Sequence, residues 1–255
     1  MSQIASYPSL NNKTVFITGG GTGIGAVMVE RFCQQGAKVA FVDLVVDKSL
    51  ALCSTLKGQY QHDPLFLECD IRDASALKES INTFQQKLGD ISVLINNAAD
   101  DTRHQADTLS EDAWDNYMAI NLRPCFFATQ EIIPQMQRLG GGSIINMGSV
   151  SWRKKQTCMP AYTTAKAAIE GLSRTMAATY GKDNVRVNTL IPGWVMTERQ
   201  MTRWLNPDIV QEVQESQCIK KTLQPDDIAN AALFLASEDS NMLTGQSIIV
   251  DAGWA

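Results

Sequence analysis

Histidine is nearly missing from this chain: only His62 and His104 occur in 255 residues. Two histidines far apart make no metal site without carboxylate help, and neither stands where it would complete a Ser-His-Asp hydrolase triad. The six cysteines, Cys33, Cys53, Cys69, Cys125, Cys158 and Cys218, form no C-x-x-C pair and no zinc-like spacing. Several lie in apolar runs such as "RFCQQG" and "FLECD", so buried free thiols in a reducing compartment are expected. Positive charge is also short. Lys and Arg number 22 against 27 Asp and Glu, a net charge of −5, which excludes the basic field that nucleic acid or an anionic membrane surface requires. No apolar run approaches the roughly 20 residues of a spanning helix. The opening "MSQIASYPSLNN" has neither a basic n-region nor an apolar h-region, so a cytoplasmic protein without a signal peptide is expected.

What the chain does have is alternation. Short apolar or β-branched runs, "TVFIT" (14–18), "KVAFVD" (38–43), "PLFLECD" (64–70), "SVLINN" (92–97), "GSIINMGS" (142–149), "VRVNTLIP" (185–192) and "SIIVD" (247–251), are separated by stretches of helical period such as Leu77, Ile81, Phe84 and Leu88. Most of these runs are continuously hydrophobic, as strands buried on both faces of a parallel sheet must be. No linker, repeat or low-complexity stretch interrupts them. One doubly wound α/β domain over 1–255, with a seven-stranded parallel sheet flanked by helices, is predicted. The only basic run, "WRKKQ" (152–156), reads as a solvated loop.

Two local patterns carry chemistry. Gly19, Gly20, Gly21, Gly23 and Gly25 lie between the first strand and a helical pattern, where glycine lets backbone approach a pyrophosphate at a helix N-terminus. The second strand ends in Asp43, close to the offset expected of a carboxylate that binds the adenosine ribose. Such a carboxylate repels a 2′-phosphate, and no Arg or Lys lies between Thr18 and Val29 to compensate, which favours NAD over NADP. In "PAYTTAK" (160–166), Tyr162 and Lys166 are one helical turn apart. The pair alone fits either an ordinary helix face or an acid/base device.

With these residues in order, the chain resembles the short-chain dehydrogenase/reductase family nearly end to end. "TGGGTGIG" (18–25), "CDI" (69–71), "NNAA" (96–99) and "PGWVMT" (192–197) match its motifs, with Ser149, Tyr162 and Lys166 between them. The resemblance implies a Rossmann-like fold and an NAD site built from Gly19, Thr22, Gly23, Ile24, Gly25, Asp43, Asp70, Ile71, Asn97, Ala98, Tyr162, Lys166, Pro192, Val195 and Thr197. Asp70 and the Ile71 backbone would touch adenine; Val195 and Thr197 would hold the carboxamide. Ala99 and Ala252 depart from the family's usual glycines. "NNAADDTRH", "SVSWRKK", "PGWVMTERQ" and the terminal "DAGW" further resemble NAD-dependent aldose 1-dehydrogenases of the D-xylose type.

The resemblance implies a catalytic tetrad of Asn121, Ser149, Tyr162 and Lys166. Ser149, placed at the end of the fifth strand, would orient the substrate oxygen, and Asn121 would hold a water leading from Lys166 to solvent. Tyr162 would be the general base. An ammonium about 5 Å from its phenol, at an effective dielectric near 20, contributes roughly 3 kcal/mol, enough to lower the phenol by about two pH units. Substrate candidates are Ser149, Ser151, Trp152, Tyr162, Trp194 and Arg199. The polar groups of "DDTRH" (100–104) either meet sugar hydroxyls or pair with one another to fix their loop, and the second is favoured. Residues 197–221 would form a lid carrying Arg199 and Trp204, and the helices around 111–138 and 161–180 would join four copies into a homotetramer. The reaction implied is hydride transfer from a sugar hydroxyl, at C1 of an aldose, to NAD. A polyol, another secondary alcohol or a 3-oxoacyl substrate, and a non-catalytic cofactor sensor, are the alternatives.

Overall fold

The computed structural model describes residues 5–204 and 207–255. Seven parallel strands form one sheet in the order β3-β2-β1-β4-β5-β6-β7: β1 (Thr14–Thr18), β2 (Lys38–Asp43), β3 (Leu65–Glu68), β4 (Val93–Asn96), β5 (Gly142–Met147), β6 (Val185–Pro192) and β7 (Ser247–Val250). All seven lie within the predicted runs. β1, β4 and β6 are buried at every residue, whereas the edge strands β3 and β7 are partly open. That is the pattern continuous apolar runs impose on a sheet covered on both faces.

The described helices are α1 (Gly23–Gln34), α2 (Val46–Leu56), α3 (Ala74–Leu88), α4 (Glu111–Asn121), α5 (Arg123–Arg138), α6 (Pro160–Tyr180), α7 (Glu198–Arg203), α8 (Pro207–Ser216) and α9 (Pro225–Ala236). Successive residues of β1 serve opposite cores. Val15 and Ile17 pack with Phe32 of α1 and Leu233 of α9, while Phe16 packs with Leu77 and Phe84 of α3 and Ile132 of α5. Start signals are local: the Asp73 carboxylate caps α3, the Ser110 hydroxyl caps α4, and Pro160 opens α6.

Two boundaries differ from expectation. β5 stops at Met147, so Ser149 stands in the loop beyond the strand, not at its end. The bend falls where Gly148 is pressed against β6, since a side chain there would lie 2.9 Å from Ile191 and Thr189. The excursion expected over 197–221 contains α7 and α8; residues 205 and 206 within it lie outside the described residues.

Candidate active site

Because every strand runs the same way, their C-terminal ends share one edge, and the chain reverses direction of winding between β1 and β4. Crevices for ligands open at such switch points. Here a cleft of about 690 Å³ lies across the ends of β1, β2, β4, β5 and β6. Every residue of the expected cofactor set except Gly23 lines it.

The glycine turn has the geometry a dinucleotide requires. Gly19 and Gly23 sit at φ +69° and +56°, in the left-handed region that favours glycine. A side chain on Gly25 would lie 1.9 Å from the Gly19 carbonyl oxygen, so α1 can approach the turn only without one. Thr22, at the N-cap of α1, makes no side-chain capping bond, leaving that helix N-terminus open to an anion. Asn97 secures the turn from β4: its amide donates to the carbonyls of Thr18 and Gly19 at 3.1 and 2.8 Å. Asp43 accepts from the N–H of Gly21 at 2.8 Å and of Val45 at 2.9 Å, so it both caps the turn and faces the cleft.

At the adenine end, the Asp70 carboxylate is engaged by Arg72, a residue that no sequence motif marks. Arg72 Nε lies 3.0 and 2.9 Å from the two carboxylate oxygens, and this pairing holds Asp70 below the usual carboxylate range. At the other end, Val195 bridges to Leu223 and the Thr197 hydroxyl caps α7. The Thr197 methyl lies 3.4 Å from the position a Gly23 side chain would take, so the start of α7 approaches the glycine turn at this half-buried residue.

A second, smaller recess of about 90 Å³ opens beside the cleft. Ser149 and Tyr162 border both, so they stand where two chambers meet. The recess is walled by Ser151, Gln156, Trp194 and Trp254, with Asp101, Arg103 and Gln200 at its rim. Trp194 and Trp254 stack with ring centres 6.3 Å apart, and Lys154 sits 3.4 Å above the Trp254 ring. Trp254 reaches this wall because the terminal strand end folds back: both oxygens of Asp251 accept backbone N–H groups, from Gly253 and Ala255.

Tyr162 and Lys166 are on one face of α6, with the ammonium 5.7 Å from the phenol ring centre. The expected lowering of the phenol does not occur in the chain alone. Loss of hydration pushes Tyr162 up to about 12, and Asp101 and Asp100 act the same way, against Ser149 and Arg103. Lys166 is buried and lowered to about 8 by that burial; its ammonium donates to the Met147 carbonyl at 2.7 Å. Desolvation outweighs the simple charge–charge attraction because Lys166 is buried and the half-buried Tyr162 is packed at the floor of the cleft.

Asn121 ends α4 and is buried, but lines neither chamber. Its oxygen accepts from the Asp100 N–H at 2.9 Å, and its amide donates to the Tyr117 and Asp100 carbonyls. It thereby clamps the start of the 100–104 loop to α4. The loop's polar groups do pair to fix it. Arg199 of α7 reaches Asp100 at 2.8 Å and Asp101 at 3.1 Å, and Gln200 donates to Asp101. Arg103 lies 5.0 Å from the Trp204 ring centre. On the other side of the cleft, Lys48 of α2 pairs with Glu198 of α7 at 2.5 Å. His104 fastens the loop to α6. Its Nδ1 donates to the Thr102 carbonyl, and its Nε2 accepts the Ala161 N–H in the first turn of that helix. These two bonds require the Nδ1–H tautomer.

Trp152 lines neither chamber. Its indole N–H donates to Glu170 at 3.0 Å, and Arg153 pairs with the same carboxylate at 2.6 Å. The basic run 152–156 is therefore largely packed rather than solvated: only Lys155 is exposed, while Lys154 rests on Trp254. Burial lowers the Lys154 ammonium.

The comparisons with known proteins agree with this geometry. A family model described as enoyl-(acyl carrier protein) reductase matches residues 19–255. A Rhizobium meliloti protein named "Probable galactose dehydrogenase GalD" is 43% identical over 249 residues, covering 98% of this chain and 97% of its own. D-xylose 1-dehydrogenase of Caulobacter vibrioides is 40% identical over 250 residues, with 98% of each covered. Among solved structures, a 7α-hydroxysteroid dehydrogenase in complex with NADH and 7-oxoglycochenodeoxycholic acid superposes with a TM-score of 0.92 at 30% identity, covering 98% of this chain and 96% of that one. A short-chain dehydrogenase/reductase from Serratia marcescens gives a TM-score of 0.88 at 31% identity, with 96% and 99% covered. The chain belongs to the short-chain dehydrogenase/reductase family and is an oxidoreductase, of a family whose dehydrogenases use nicotinamide cofactors.

Proposed function

We propose that this protein is an NAD-dependent sugar dehydrogenase that removes hydride from C1 of an aldose and releases the lactone. The observation that carries this reading is the recess of about 90 Å³ joined to the large cleft at Tyr162 and Ser149. At about 30 Å³ for each water it holds roughly three, room for the part of a compact polyol that extends beyond a reacting carbon placed at the junction with the cleft. An acyl chain on a carrier needs a longer channel, and this recess is short and mixes Val150 and Met159 with serine, glutamine, charged groups and two indoles.

The large cleft fits NAD. The bare glycine turn would take the pyrophosphate, and Asp43 would take the adenosine ribose hydroxyls while disfavouring a 2′-phosphate. Arg72 would not offset that, since its guanidinium is already held by Asp70 and Asn116. Bound NAD supplies the hydride acceptor and a positive ring beside Tyr162. The chain's own residues do the rest. Ser149 orients the substrate hydroxyl at the junction of the two chambers. Tyr162 takes its proton, and Lys166 stabilises the phenolate form once positive charge is added to the site. Asn121 acts by holding the 100–104 loop, and a water on its remaining lone pair would link Lys166 to solvent. Residues 197–204 act as the lid, fastened by Arg199.

An open-chain polyol is the second reading, since D-threitol dehydrogenase of Mycolicibacterium smegmatis is 33% identical over 251 residues and the same recess suits a linear diol. We place the protein in the cytoplasm. A homotetramer is supported by Trp114 on α4 and Phe126 and Phe127 on α5, each 38% exposed on helices expected to meet other copies. The deciding experiment follows NADH formation over aldoses, polyols and simple secondary alcohols, with NADP as control, for the parent and Tyr162→Phe. The parent should oxidise an aldose with NAD. Tyr162→Phe should bind NAD yet show no turnover; full activity in that variant would end the mechanism.

A further inference from the structure

The small recess contains a concentration of unpaired polar atoms. Ser151 Oγ, Trp194 Nε1 and Trp254 Nε1 are each buried and lack a hydrogen-bond partner within the protein. All three residues wall the same recess, beside Ser149 and Tyr162. A buried polar group without a partner is costly, and native chains seldom tolerate several in one place. A water or ligand atom seated in the recess, with a small side-chain adjustment, would supply the missing partners. Of the indoles outside the recess, Trp152 has its N–H satisfied by Glu170 whereas Trp204 is also unpaired, so it is the grouping of three such atoms around one recess that is distinctive.

Position explains why two of the three are indoles. An indole N–H can only donate. It therefore accepts no proton and cannot compete with Tyr162, whereas a lactone or hydroxyl oxygen offers it lone pairs. Trp254 is held firmly enough to select. Its ring is contacted by Lys154 and stacks with Trp194, and the backbone around it is pinned by Asp251. The same segment is tied to the chain that follows α8, where Cys218 N–H donates to Gly253 and Ile219 N–H to Ala252. Held this way, the wall keeps a fixed distance from the proton-taking phenol, which is what reading a hydroxyl remote from the reacting carbon demands.

We infer that Trp254, with Trp194 and Ser151, reads the non-reacting hydroxyl groups of the sugar, making the terminal segment a specificity determinant. The inference rests on the sugar-dehydrogenase reading above. Its substrate class is a carbohydrate carrying hydroxyl oxygens beyond the oxidised carbon, as opposed to a simple secondary alcohol.

The test is Trp254→Phe, which keeps an aromatic ring and deletes the N–H. Steady-state kinetics would be measured on D-xylose or D-galactose, whichever the parent oxidises faster, and on its monodeoxy analogues. Trp254→Phe should lower kcat/KM for the full sugar about 5- to 10-fold, the worth of one hydrogen bond, with the loss carried by KM. On the one analogue that lacks the recognised hydroxyl, the variant and parent should be equal, the non-additivity expected of a direct contact. Ser151→Ala provides a second variant, read against the same analogues, if the Phe variant does not fold. An equal loss on every analogue, or no loss on any, overturns the inference and leaves the sugar reading standing. A parent that oxidises only alcohols without further hydroxyls overturns both.

Discussion

Replacing Lys166 with methionine should remove activity and, in the cofactor-free protein, abolish a rise in stability with pH. Lys166 is 2% exposed, and its ammonium meets the Met147 carbonyl, with no ion-pair partner among the described residues. Burial lowers it from 10.5 to about 8. At about 1.4 kcal/mol per pH unit this is about 3 kcal/mol of folded-state penalty, fully present below about pH 8. Between about pH 8 and 10.5 the unfolded chain keeps a proton at this lysine that the folded chain has lost. The unfolded state then binds more protons, so stability rises with pH through that window. From pH 7 to pH 10 the parent should gain about 2–3 kcal/mol relative to Lys166→Met. The range stops at pH 10 because Tyr162, raised to about 12, acts in the opposite sense above it. The absolute stability of the variant at pH 7 should exceed the parent's by less than the full penalty. Losing the ammonium orphans the Met147 carbonyl, at about 1–3 kcal/mol. Urea denaturation of both proteins in steps from pH 7 to pH 10 gives the comparison. Identical slopes would show that the buried ammonium carries no such penalty and would refute the reasoning.

Three other outcomes are expected. Asp43→Ala should lower the ratio of kcat/KM for NAD to that for NADP at least about 10-fold, since one carboxylate contact is worth about 1.5–3 kcal/mol; an unaltered ratio would remove Asp43 as the selector. Arg199→Ala should raise KM for the sugar several-fold while shifting the melting temperature little, because exposed pairs contribute about 0–1 kcal/mol each; steady-state kinetics with a thermal melt separates the two effects. Ala252→Gly should stabilise the protein by up to about 1 kcal/mol, since Ala252 holds φ +60°, a conformation that costs an L-residue about that much. A calorimetric scan in which the variant melts lower would count against that assignment.

How much of the molecule is legible in its sequence depends on the range of the interactions. The strands can be read because β1, β4 and β6 are buried on both faces, which forces continuous apolar runs. The glycine turn and Asp43 can be read because each answers a local requirement of spacing or backbone angle, whereas Ser149, Tyr162 and Lys166 stand out only through the resemblance to the family. Contacts between distant segments leave no such trace. Nothing near Asp101 announces Arg199, and nothing near Ser151 announces Trp254, since only the folding of the 100–104 loop and the terminal segment brings them together. Trp152 misleads for the converse reason. Its place three residues after Ser149 suggests the substrate wall, but Glu170 on α6 draws its indole away. The charge argument for Tyr162 fails because spacing reveals distance to Lys166 and not how much hydration each group loses on folding.

The two attachments of α7 have a consequence for traffic. Lys48–Glu198 holds one bank of the cleft and Arg199 with Asp100 and Asp101 holds the other, so the segment is a span with two piers, not a flap on one hinge. On the proposed reading, a dinucleotide lying beneath it would depart only when both piers give way. A sugar entering at the Asp101 bank would disturb only one, and on that reading its entry and exit would be uncoupled from exchange of the large molecule. Because both piers are exposed ion pairs, raising the ionic strength loosens the whole crossing at once.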